Sequence, residues 1–392
     1  MLNICLFIFI VFIILTKNGV KNMTGTVFKI VGIVMASILG LGILLVLGYV
    51  IYISCQYYRI KDNLALTINN NQEEVLQTGI SYKATTFNIG FGAYNHDFSF
   101  FMDTGQMKTG ENVQGDYSKA RSKEIVLDNT NGAIEQSKAL NSDFYLFQEV
   151  DIDGDRSHHV NQLEMLTKAY SNFGYTFAEN FHSAYLLYPF NDPHGKTTAG
   201  IATFSKYKMT SATRISYPVD ESFPNKYFDL DRCFSINRFQ VGENKQLVMI
   251  NSHMSAFDEG GLVRQQQLIK LNQILTEEYS KGNYVIVGGD FNHDIANTSE
   301  MYETTQNIPD WVYKLDKEDL PEHYDFAAAS DDPSCRSTDI PYVKGVNYSV
   351  TLDGFIVSDN VEVESVTNLI NGVSADFKHS DHNPATLTFK LK

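Results

Sequence analysis

Basic residues are scarce in this sequence, and their scarcity argues against one class of protein. The chain of 392 residues contains 31 lysines and arginines against 46 aspartates and glutamates. The first 58 residues hold three lysines and no acid, so the rest of the chain carries a net charge of −18. Because nucleic acid is gripped through its phosphates by clustered lysine and arginine, this charge argues against a broad surface for the backbone of DNA or RNA.

Repeats, proline-rich linkers and low-complexity segments are also missing, and cysteine is rare. Hydrophobic residues make up 43% of the chain and charged residues 20%, a composition that excludes disordered and fibrous proteins. Of the four cysteines, Cys5 and Cys55 lie in or beside apolar runs, which leaves Cys233 and Cys335 in the soluble part. Outside the cytoplasm these two either form a disulfide or remain free buried thiols.

Charged residues are absent from 30–53, a run of 24 residues. A helix of about 20 apolar residues spans the core of a bilayer, and tyrosines border the end of the run. The sequence therefore predicts a transmembrane helix over 30–55, preceded by an N-terminal segment, 1–29. That segment holds a shorter apolar run, 4–15, which fits a short first span, the core of a signal peptide, or untranslated residues upstream of a start at Met23.

The charges around the long run predict which side of the membrane the main domain occupies. Three lysines precede the run within 17–29, whereas Arg59 and Lys61 follow it beside Asp62. Positive charge favours the cytoplasmic side. We therefore expect a cell-membrane protein, single-pass or two-pass, with its main domain outside the cytoplasm.

Small residues recur at every fourth position along the predicted span, at Gly32, Ala36 and Gly40. Such a face lets two membrane helices approach closely. Because small residues are common in membrane helices, the pattern predicts at most a weak homodimer.

A polar segment, 56–80, is interpreted as a stalk that becomes part of the domain. After it, strands and helices alternate in one α/β domain over 81–392. Helices are predicted at 119–140 and at 261–280, where Gly282 stands at the position of a C-terminal cap. Short β-branched or aromatic runs predict strands at 82–88, 143–150, 199–205, 246–253 and 283–289. Long loops are expected at 91–118, 151–160, 188–198 and 292–345.

Polar residues follow the predicted strands at the points where the strands end. Singly, an Asn, Asp or His at such a position usually forms a turn or caps a helix. Together they mark the edge of an α/β sheet where active sites are found. The set comprises Asn88 in FNIGFG, Glu149 and Asp151 in FQEVD, His253 in SHMSAF, Asp290 and Asn292 in GGDFNHD, Asp353 in LDGFIVS, and Asp381 and His382 in HSDHNPA.

These residue types suit metal-assisted attack on a phosphoester. Oxygen ligands without a thiolate favour Mg²⁺, Mn²⁺ or Ca²⁺ over zinc. A phosphodiester carries a negative charge that repels hydroxide. Its hydrolysis therefore needs a metal or hydrogen-bond donors on the phosphate, a base for water and an acid for the leaving oxygen.

The six motifs, in this order, resemble the endonuclease/exonuclease/phosphatase superfamily, which includes DNase I-like nucleases, neutral sphingomyelinases and inositol-phosphate phosphatases. The resemblance covers 81–392. A GD-x-N motif followed about 90 residues later by SDH-x-P, with QE upstream, is specific as a set. It implies a four-layer α/β/β/α sandwich of two mixed sheets with helices outside, and a Mg²⁺-dependent attack of water on phosphorus.

The resemblance also implies the metal ligands. Glu149 would be the main ligand of Mg²⁺, or of Mn²⁺ or Ca²⁺, with Asn88 beside it and Asp381 helping to hold the ion. Several nucleases of the superfamily carry an acid two residues after the first-strand asparagine, where this sequence has Gly90. That departure argues against a second metal and against an abasic-site nuclease.

The resemblance implies the catalytic roles as well. Asp290 and Asn292 would orient the attacking water, and His253 would donate to the phosphate as charge builds on it. His382 would be the acid–base group, oriented by Asp353. A histidine paired with an aspartate has its tautomer and direction set, and its unperturbed pKa of about 6.5 lies near working pH. Whether Asp290 or His382 takes the proton of water stays open.

Substrate contacts would come from outside the shared motifs. Arg232 and His194 are candidates for a contact to the phosphate. The loop 91–118 contains Tyr94, Phe98, Phe100, Phe101 and Met102. This apolar cluster is either a flap packed on the core or a lip that faces lipids or bases.

Three functions fit the sequence. The first is a membrane-anchored phosphoester hydrolase, for which the negative charge slightly favours a phospholipid or another small phosphodiester over nucleic acid. The second is an extracellular nuclease with a local basic groove for DNA or RNA. The third is a catalytically inactive binding or scaffold module, which the presence of the complete polar set disfavours.

Overall fold

The structure is a computed structural model that describes residues 24–228, 231–256 and 262–392. It divides into two compact units, Met1–Gln56 and Tyr57–Lys392. The described part of the first unit is one helix, α1 (Thr24–Gln56), which is apolar on every face. Its 33 residues extend for about 50 Å, more than the core of a bilayer requires.

Among the described residues, α1 is the one helix that is long and apolar enough to span a membrane. The long apolar run is therefore helical, as expected, and insertion in a membrane and dimerisation stay predictions. The shorter run, 4–15, and Met23 lie outside the described residues.

The second unit alternates strands and helices, as the sequence predicts. Its helices are α2 (Lys123–Ala139), α3 (Gln162–Ala169) and α4 (Leu262–Ser280). Its strands are β1 (Leu64–Ala65), β2 (Ser81–Asn88), β3 (Thr104–Gln106), β4 (Asn112–Gln114), β5 (Phe144–Gly154), β6 (Gly174–His182), β7 (Thr197–Ser205), β8 (Met209–Ser216), β9 (Cys233–Val241), β10 (Lys245–His253), β11 (Tyr284–Asp290), β12 (Tyr324–Ala327), β13 (Cys335–Arg336), β14 (Ser349–Val350), β15 (Asp353–Ser358), β16 (Val361–Thr367) and β17 (Ala385–Leu391). The five predicted strands and both predicted helices are present, with bounds that differ by a few residues.

Two large mixed sheets form the centre of this unit. The first has the strand order β1-β8-β9-β10-β11-β15-β12, and the second has the order β16-β17-β2-β5-β7-β6. The pairs β10–β11 and β2–β5 are parallel. Side chains from both sheets, including Leu146, Met249, Ile286 and Leu387, form one buried core between them.

Helices cover the outer faces of the two sheets. Leu271 of α4 belongs to a buried cluster with Val285 of β11, and Ala133 of α2 belongs to another with Phe147 of β5. Because successive side chains of a strand point to opposite faces, Val285 faces α4 while Ile286 faces the second sheet. The result is a four-layer α/β/β/α sandwich, which confirms the predicted fold class.

The segment predicted as a stalk, 56–80, belongs to the domain from its second residue onwards. Leu64–Ala65 form the edge strand β1, which pairs with β8, and Leu76 is buried in the core between the sheets. The side chain of Asn70 donates to two backbone carbonyls of the loop between α3 and β6. From Tyr57 onwards the segment is therefore part of the domain and not a separate stalk, because Leu76 lies in the core and Asn70 donates to the backbone of the domain.

Burial decides two alternatives that the sequence leaves open. In the loop 91–118, Tyr94 and Phe98 are buried in a cluster that extends to α2, so these two side chains belong to a packed flap, whereas Met102 is 56% exposed. Cys233 and Cys335 are both buried and free, which favours the free thiols over the disulfide.

A buried ion pair ties α4 to the first sheet, and it predicts how stability depends on pH. Arg238 of β9 donates two hydrogen bonds of 2.8 Å to Glu278 of α4, which also accepts from Lys281 and Asn283. Burial alone would raise the pKa of Glu278, but these donors lower it to about 2. Because the unfolded pKa is about 4.5, the three donors together contribute about 3 kcal/mol to the free energy of unfolding at neutral pH, and this contribution is lost as pH falls from about 4.5 towards 2.

We therefore expect urea unfolding of the Glu278→Gln variant to show lower stability at pH 7 and a weaker loss of stability on acidification. Glu73→Gln is the control, because Glu73 forms a comparable pair with Lys208 while 88% of its side chain is exposed. Exposed pairs contribute little. Equal losses of stability in the two variants would contradict the prediction.

Candidate active site

The carboxyl ends of the parallel strand pairs bring the predicted residues together. In the β10–β11 pair His253 lies opposite Asp290, and in the β2–β5 pair Asn88 ends its strand beside Glu149. The amide nitrogen of Asn88 donates to Asp290 Oδ2 at 3.0 Å and to Glu149 Oε1 at 3.3 Å. His253 Nε2 lies 3.6 Å from Asp290 Oδ2 and 4.0 Å from Glu149 Oε1. Both sheets thus contribute to one site.

Glu149 reaches this site through a break in its strand. The pairing of β5 with β7 shifts in register between Phe147 and Val150, and Glu149 has a φ of 54°. A bulge of this kind re-aims a side chain, and a positive φ at a non-glycine residue costs about 1–3 kcal/mol, which the surrounding packing must offset. Asn292 also has a positive φ, 51°, which asparagine adopts more readily than glutamate, and its backbone N–H donates to Asp290 Oδ1 at 2.8 Å.

A histidine–aspartate pair completes the site. Asp353 of β15 lies opposite Asp290, and its Oδ2 lies 2.7 Å from His382 Nδ1. The same oxygen accepts a hydrogen bond of 2.8 Å from Ser334 Oγ. With Nδ1 engaged, His382 Nε2 lies 3.7 Å from Asp290 Oδ2. Asp353 therefore orients the ring of His382 towards the other acids.

The two histidines of the site hold different charge states. Burial lowers the pKa of His253 well below its usual value, and the charge of Arg232 lowers it further. Burial also opposes protonation of His382, but Asp353 outweighs it and raises the pKa of His382 well above its usual value. Burial raises the pKa of Asp353 to about 6. At neutral pH the site therefore holds a neutral His253 and a protonated His382.

The acids around Glu149 have the chemistry of a divalent metal site. Burial raises the pKa of Glu149, and the neighbouring charge of Asp381 raises it further. Burial also raises the pKa of Asp381, and it raises the pKa of the Cys335 thiol to about 12. Glu149 and Asp381 are partly buried oxygen donors whose negative charges lie close together, and the neighbouring Cys335 thiol stays protonated. This combination fits Mg²⁺ or Mn²⁺.

Two observations refine the predicted ligand set. Asp290, Asp353 and His382 bring potential ligand atoms within 4.8 Å of one another, but Asp353 Oδ2 already accepts from His382 and Ser334, which favours the acid–base pair over a ligand. The amide oxygen of Asn88 accepts from the N–H of Gly90 at 3.0 Å. Its NH₂ group therefore faces the two carboxylates and holds them together. Ligation of a metal by Asn88 stays a prediction.

The two candidates for a phosphate contact occupy different surroundings. Arg232 is buried, and its charge acts on both Glu149 and His253, so it lies at the site. His194 is also buried and shares a hydrogen bond of 2.7 Å with the carbonyl of Ser118. Burial lowers the pKa of His194 to about 4. It is therefore neutral, and its contact to a phosphate stays a prediction.

Sequence reasoning misses Arg156. Its guanidinium donates to both carboxylate oxygens of Asp151, at 3.1 and 2.7 Å, and lies 4.1 Å from the centre of the Phe91 ring. Its charge also acts on Glu149. The sequence does not predict this pair, because Asp151 lies near the end of β5 and Arg156 lies in the turn that follows. Two residues in different elements have no periodic spacing that would indicate a contact.

Close packing explains why Gly90 stands where some nucleases have an acid. Its φ is +52°, and a Cβ atom there would lie 2.5 Å from Tyr94 Cδ2 and 2.9 Å from Asp381 Oδ1. We expect Gly90→Ala to lower the free energy of unfolding by about 2–4 kcal/mol, through backbone strain and overpacking together. Gly79, with a φ of +75°, has nothing within 4 Å of such an atom, so Gly79→Ala measures the backbone part alone. Urea unfolding that gives equal losses would contradict the packing argument.

The chain is similar to known proteins in sequence pattern and in fold. Residues 86–382 match the model of the Endonuclease/Exonuclease/phosphatase family. Among solved structures, an endonuclease/exonuclease/phosphatase from Beutenbergia cavernae has a TM-score of 0.52 and 14% identity, with 79% of this chain and 72% of that chain covered. No curated protein gives a significant match.

Two other solved structures align with this chain over nearly their whole length. ANGEL2, described as a 2′,3′-cyclic phosphatase, has a TM-score of 0.49 and 13% identity, with 85% of this chain and 99% of that chain covered. D. rerio TDP2, in complex with a single-strand DNA product, has a TM-score of 0.48 and 14% identity, with 79% and 99% covered. At such identities a solved structure shows the fold and not the substrate.

Proposed function

Because the chain belongs to the endonuclease/exonuclease/phosphatase family, we propose that it is a membrane-anchored, Mg²⁺-dependent phosphoester hydrolase. The observation that carries the proposal is the His382–Asp353 pair. It presents a protonated Nε2 at 3.7 Å from Asp290, beside the acids around Glu149. An acid, a carboxylate base and a group of oxygen ligands are the three requirements of metal-assisted hydrolysis at phosphorus.

Glu149 and Asp381 would hold the metal, and Asn88 keeps Glu149 close to Asp290. A Mg²⁺ held there would supply positive charge against the negative charge that develops on the phosphate oxygens. The charge of Arg232 adds to this from the protein side. Neutral His253 offers a ring N–H to a phosphate oxygen without a charge of its own.

The proton transfers follow from the charge states of the side chains. Asp290, oriented by the N–H of Asn292, accepts a proton from the attacking water as the water oxygen bonds to phosphorus. The bond between phosphorus and the leaving oxygen breaks, and the protonated His382 gives its Nε2 proton to that oxygen. Asp353 keeps the ring aimed throughout and stabilises its positive charge.

The domain is proposed to lie outside the cytoplasm, because the lysines within 17–29 precede the apolar helix. Fusing a reporter enzyme that is active only in the cytoplasm at residue 60 or at the C terminus tests this orientation. We expect both fusions to be inactive. Activity from both would place the domain in the cytoplasm.

Activity of the full chain, purified in detergent, tests the proposed chemistry. Linear DNA, RNA, sphingomyelin, phosphatidylinositol lipids and inositol phosphates are incubated with it in Mg²⁺ or EDTA, and products are identified by mass spectrometry. We expect Mg²⁺-dependent turnover of a lipid or another small phosphoester, because the domain carries a charge of −18. Turnover of DNA or RNA alone would support the nuclease, and turnover of none would favour the binding module.

A further inference from the structure

The loop that joins β8 to β9 carries exposed aromatic side chains. Phe223 is 66% exposed and Phe228 is 44% exposed, whereas many other phenylalanines of the domain are buried in its cores. A cluster of exposed aromatic residues usually marks a surface that another molecule or a membrane covers.

The first residue of the domain packs into the same loop. The ring of Tyr57 meets that of Tyr227 edge to face at 5.5 Å, and Phe223 meets Tyr227 at 6.0 Å. Lys226 Nζ lies 5.2 Å from the centre of the Tyr57 ring and 5.1 Å from that of Tyr227. We name Tyr57, Phe223, Lys226, Tyr227 and Phe228 the aromatic–lysine patch.

Contacts on the following residues attach this end of the chain to the domain. Arg59 Nη1 lies 2.5 Å from Asp231 Oδ1, and the ring of Tyr58 stacks on His182 at 3.9 Å. Tyr57 is therefore held in the patch by its neighbours, while its peptide bond joins it to Gln56, the last residue of α1.

We propose that the aromatic–lysine patch contacts the head-group region of the membrane in which α1 is anchored. Tyrosine, with an apolar ring and a polar hydroxyl, concentrates at the boundary between acyl chains and water, and exposed phenylalanines such as Phe223 bury their rings on the apolar side of that boundary. A lysine buries its alkyl stem there and extends its ammonium group to lipid phosphates. A lipid surface is favoured over a protein partner because the patch contains the residue that directly follows the apolar helix. The inference rests on the proposed membrane anchoring.

A second contact changes what the anchor does. A helix alone would tether the domain and leave its orientation free, whereas a helix and a bound patch together restrict how the domain tilts over the bilayer. The site then meets phosphoesters of the same membrane in a restricted set of orientations, which lowers the entropic cost of productive encounters.

Quenching of tryptophan fluorescence by brominated lipids tests the contact in the full chain. The chain has one tryptophan, Trp311, so reporters are introduced singly into a Trp311→Phe background and reconstituted in vesicles of brominated or ordinary phosphatidylcholine. Phe223→Trp reports the patch, and Leu45→Trp reports the helix. Phe190→Trp is the matched control, because Phe190 is an 83% exposed phenylalanine of another loop.

We expect brominated lipid to reduce the fluorescence of the Leu45→Trp and Phe223→Trp reporters, and to reduce that of Phe190→Trp several-fold less. Quenching at Leu45→Trp without quenching at Phe223→Trp would overturn the membrane contact and leave the anchor intact. Equal quenching at Phe190→Trp and Phe223→Trp would overturn the assignment of the contact to this patch. No quenching at Leu45→Trp would remove the anchor, and the proposal with it.

Discussion

We expect the His382→Asn variant to lose kcat by about 10²–10⁴-fold, the usual contribution of a positioned acid–base group. Asparagine keeps an NH₂ group that can donate to Asp353, so the buried carboxylate retains a partner and the variant is expected to fold. It lacks a proton that it can transfer to a leaving oxygen. Steady-state hydrolysis of the substrate identified in the panel, with circular dichroism as a check on folding, measures the loss.

The pH profile separates a proton donor from a residue that only supports the fold. Because Asp353 raises the pKa of His382 well above its usual value, the protonated acid persists through neutral pH, and kcat should fall as pH rises through the raised pKa. His382→Asn should lack this alkaline limb.

A surface histidine provides the matched control. His323 Nδ1 lies 2.8 Å from Asp359 Oδ2, and 42% of the histidine side chain is exposed. These two residues therefore form a histidine–aspartate pair like His382–Asp353, but outside the site. His323→Asn should keep both kcat and the profile. A His382→Asn variant that retains most of its activity would exclude His382 as the acid.

We expect the Glu149→Gln variant to lose Mg²⁺-dependent turnover by about 10³-fold. A metal lowers the free energy of the transition state by several kcal/mol, because it stabilises the charge that develops there. The substitution keeps the shape of the side chain and removes its charge. EDTA should abolish the turnover of the wild type, and added Mg²⁺ or Mn²⁺ should restore it. Calorimetric titration with Mn²⁺ should show binding to the wild type and weaker binding to the variant.

In the absence of metal, Glu149→Gln should be more stable than the wild type, although it is less active. Burial and Asp381 raise the pKa of Glu149 above its usual value, so the ionised side chain destabilises the folded protein at every pH above the unfolded pKa of about 4.5. In EDTA at pH 7 the Tm of Glu149→Gln should therefore exceed that of the wild type. In Mg²⁺ the order should reverse, because only the wild type gains the full stabilisation from the bound ion.

Glu164, exposed on α3 beside Lys168, supplies the control for this pair of measurements. Glu164→Gln should change neither turnover nor the response of Tm to Mg²⁺. A Glu149→Gln variant that binds Mn²⁺ as tightly as the wild type would show that Glu149 is not a ligand. A lower Tm in EDTA would show that its charge is stabilised by the fold alone.

The sequence predicts those strands, helices and site residues whose pattern is contained in a short stretch of chain. The runs that became β10 and β11 are continuous and apolar, and each ends in a polar residue, so strands and candidate site residues could be inferred together. The eight residues of α3 are too few for a clear period. The segment 57–80 has a polar composition that resembles a stalk, although Leu64–Ala65 pairs in the first sheet.

The identity of the site residues was open to sequence reasoning, but their distances and charge states were not. His253 and Asp290 end neighbouring parallel strands, which a pattern can suggest. That Asn88 bridges two carboxylates, that Glu149 sits on a bulge with positive φ, and that Arg156 pairs with Asp151 all depend on contacts between distant segments.

The sequence by itself determined the apolar helix, the α/β class and the chemistry of the strand ends, because periodicity, run length and residue type are properties of short stretches of chain. Only the tertiary structure decided which histidine is protonated and which residues crowd around Glu149, and it alone revealed the aromatic–lysine patch. These properties arise from burial and from charges brought together across the two sheets, and the energy of a charge depends on its neighbours in space rather than in sequence.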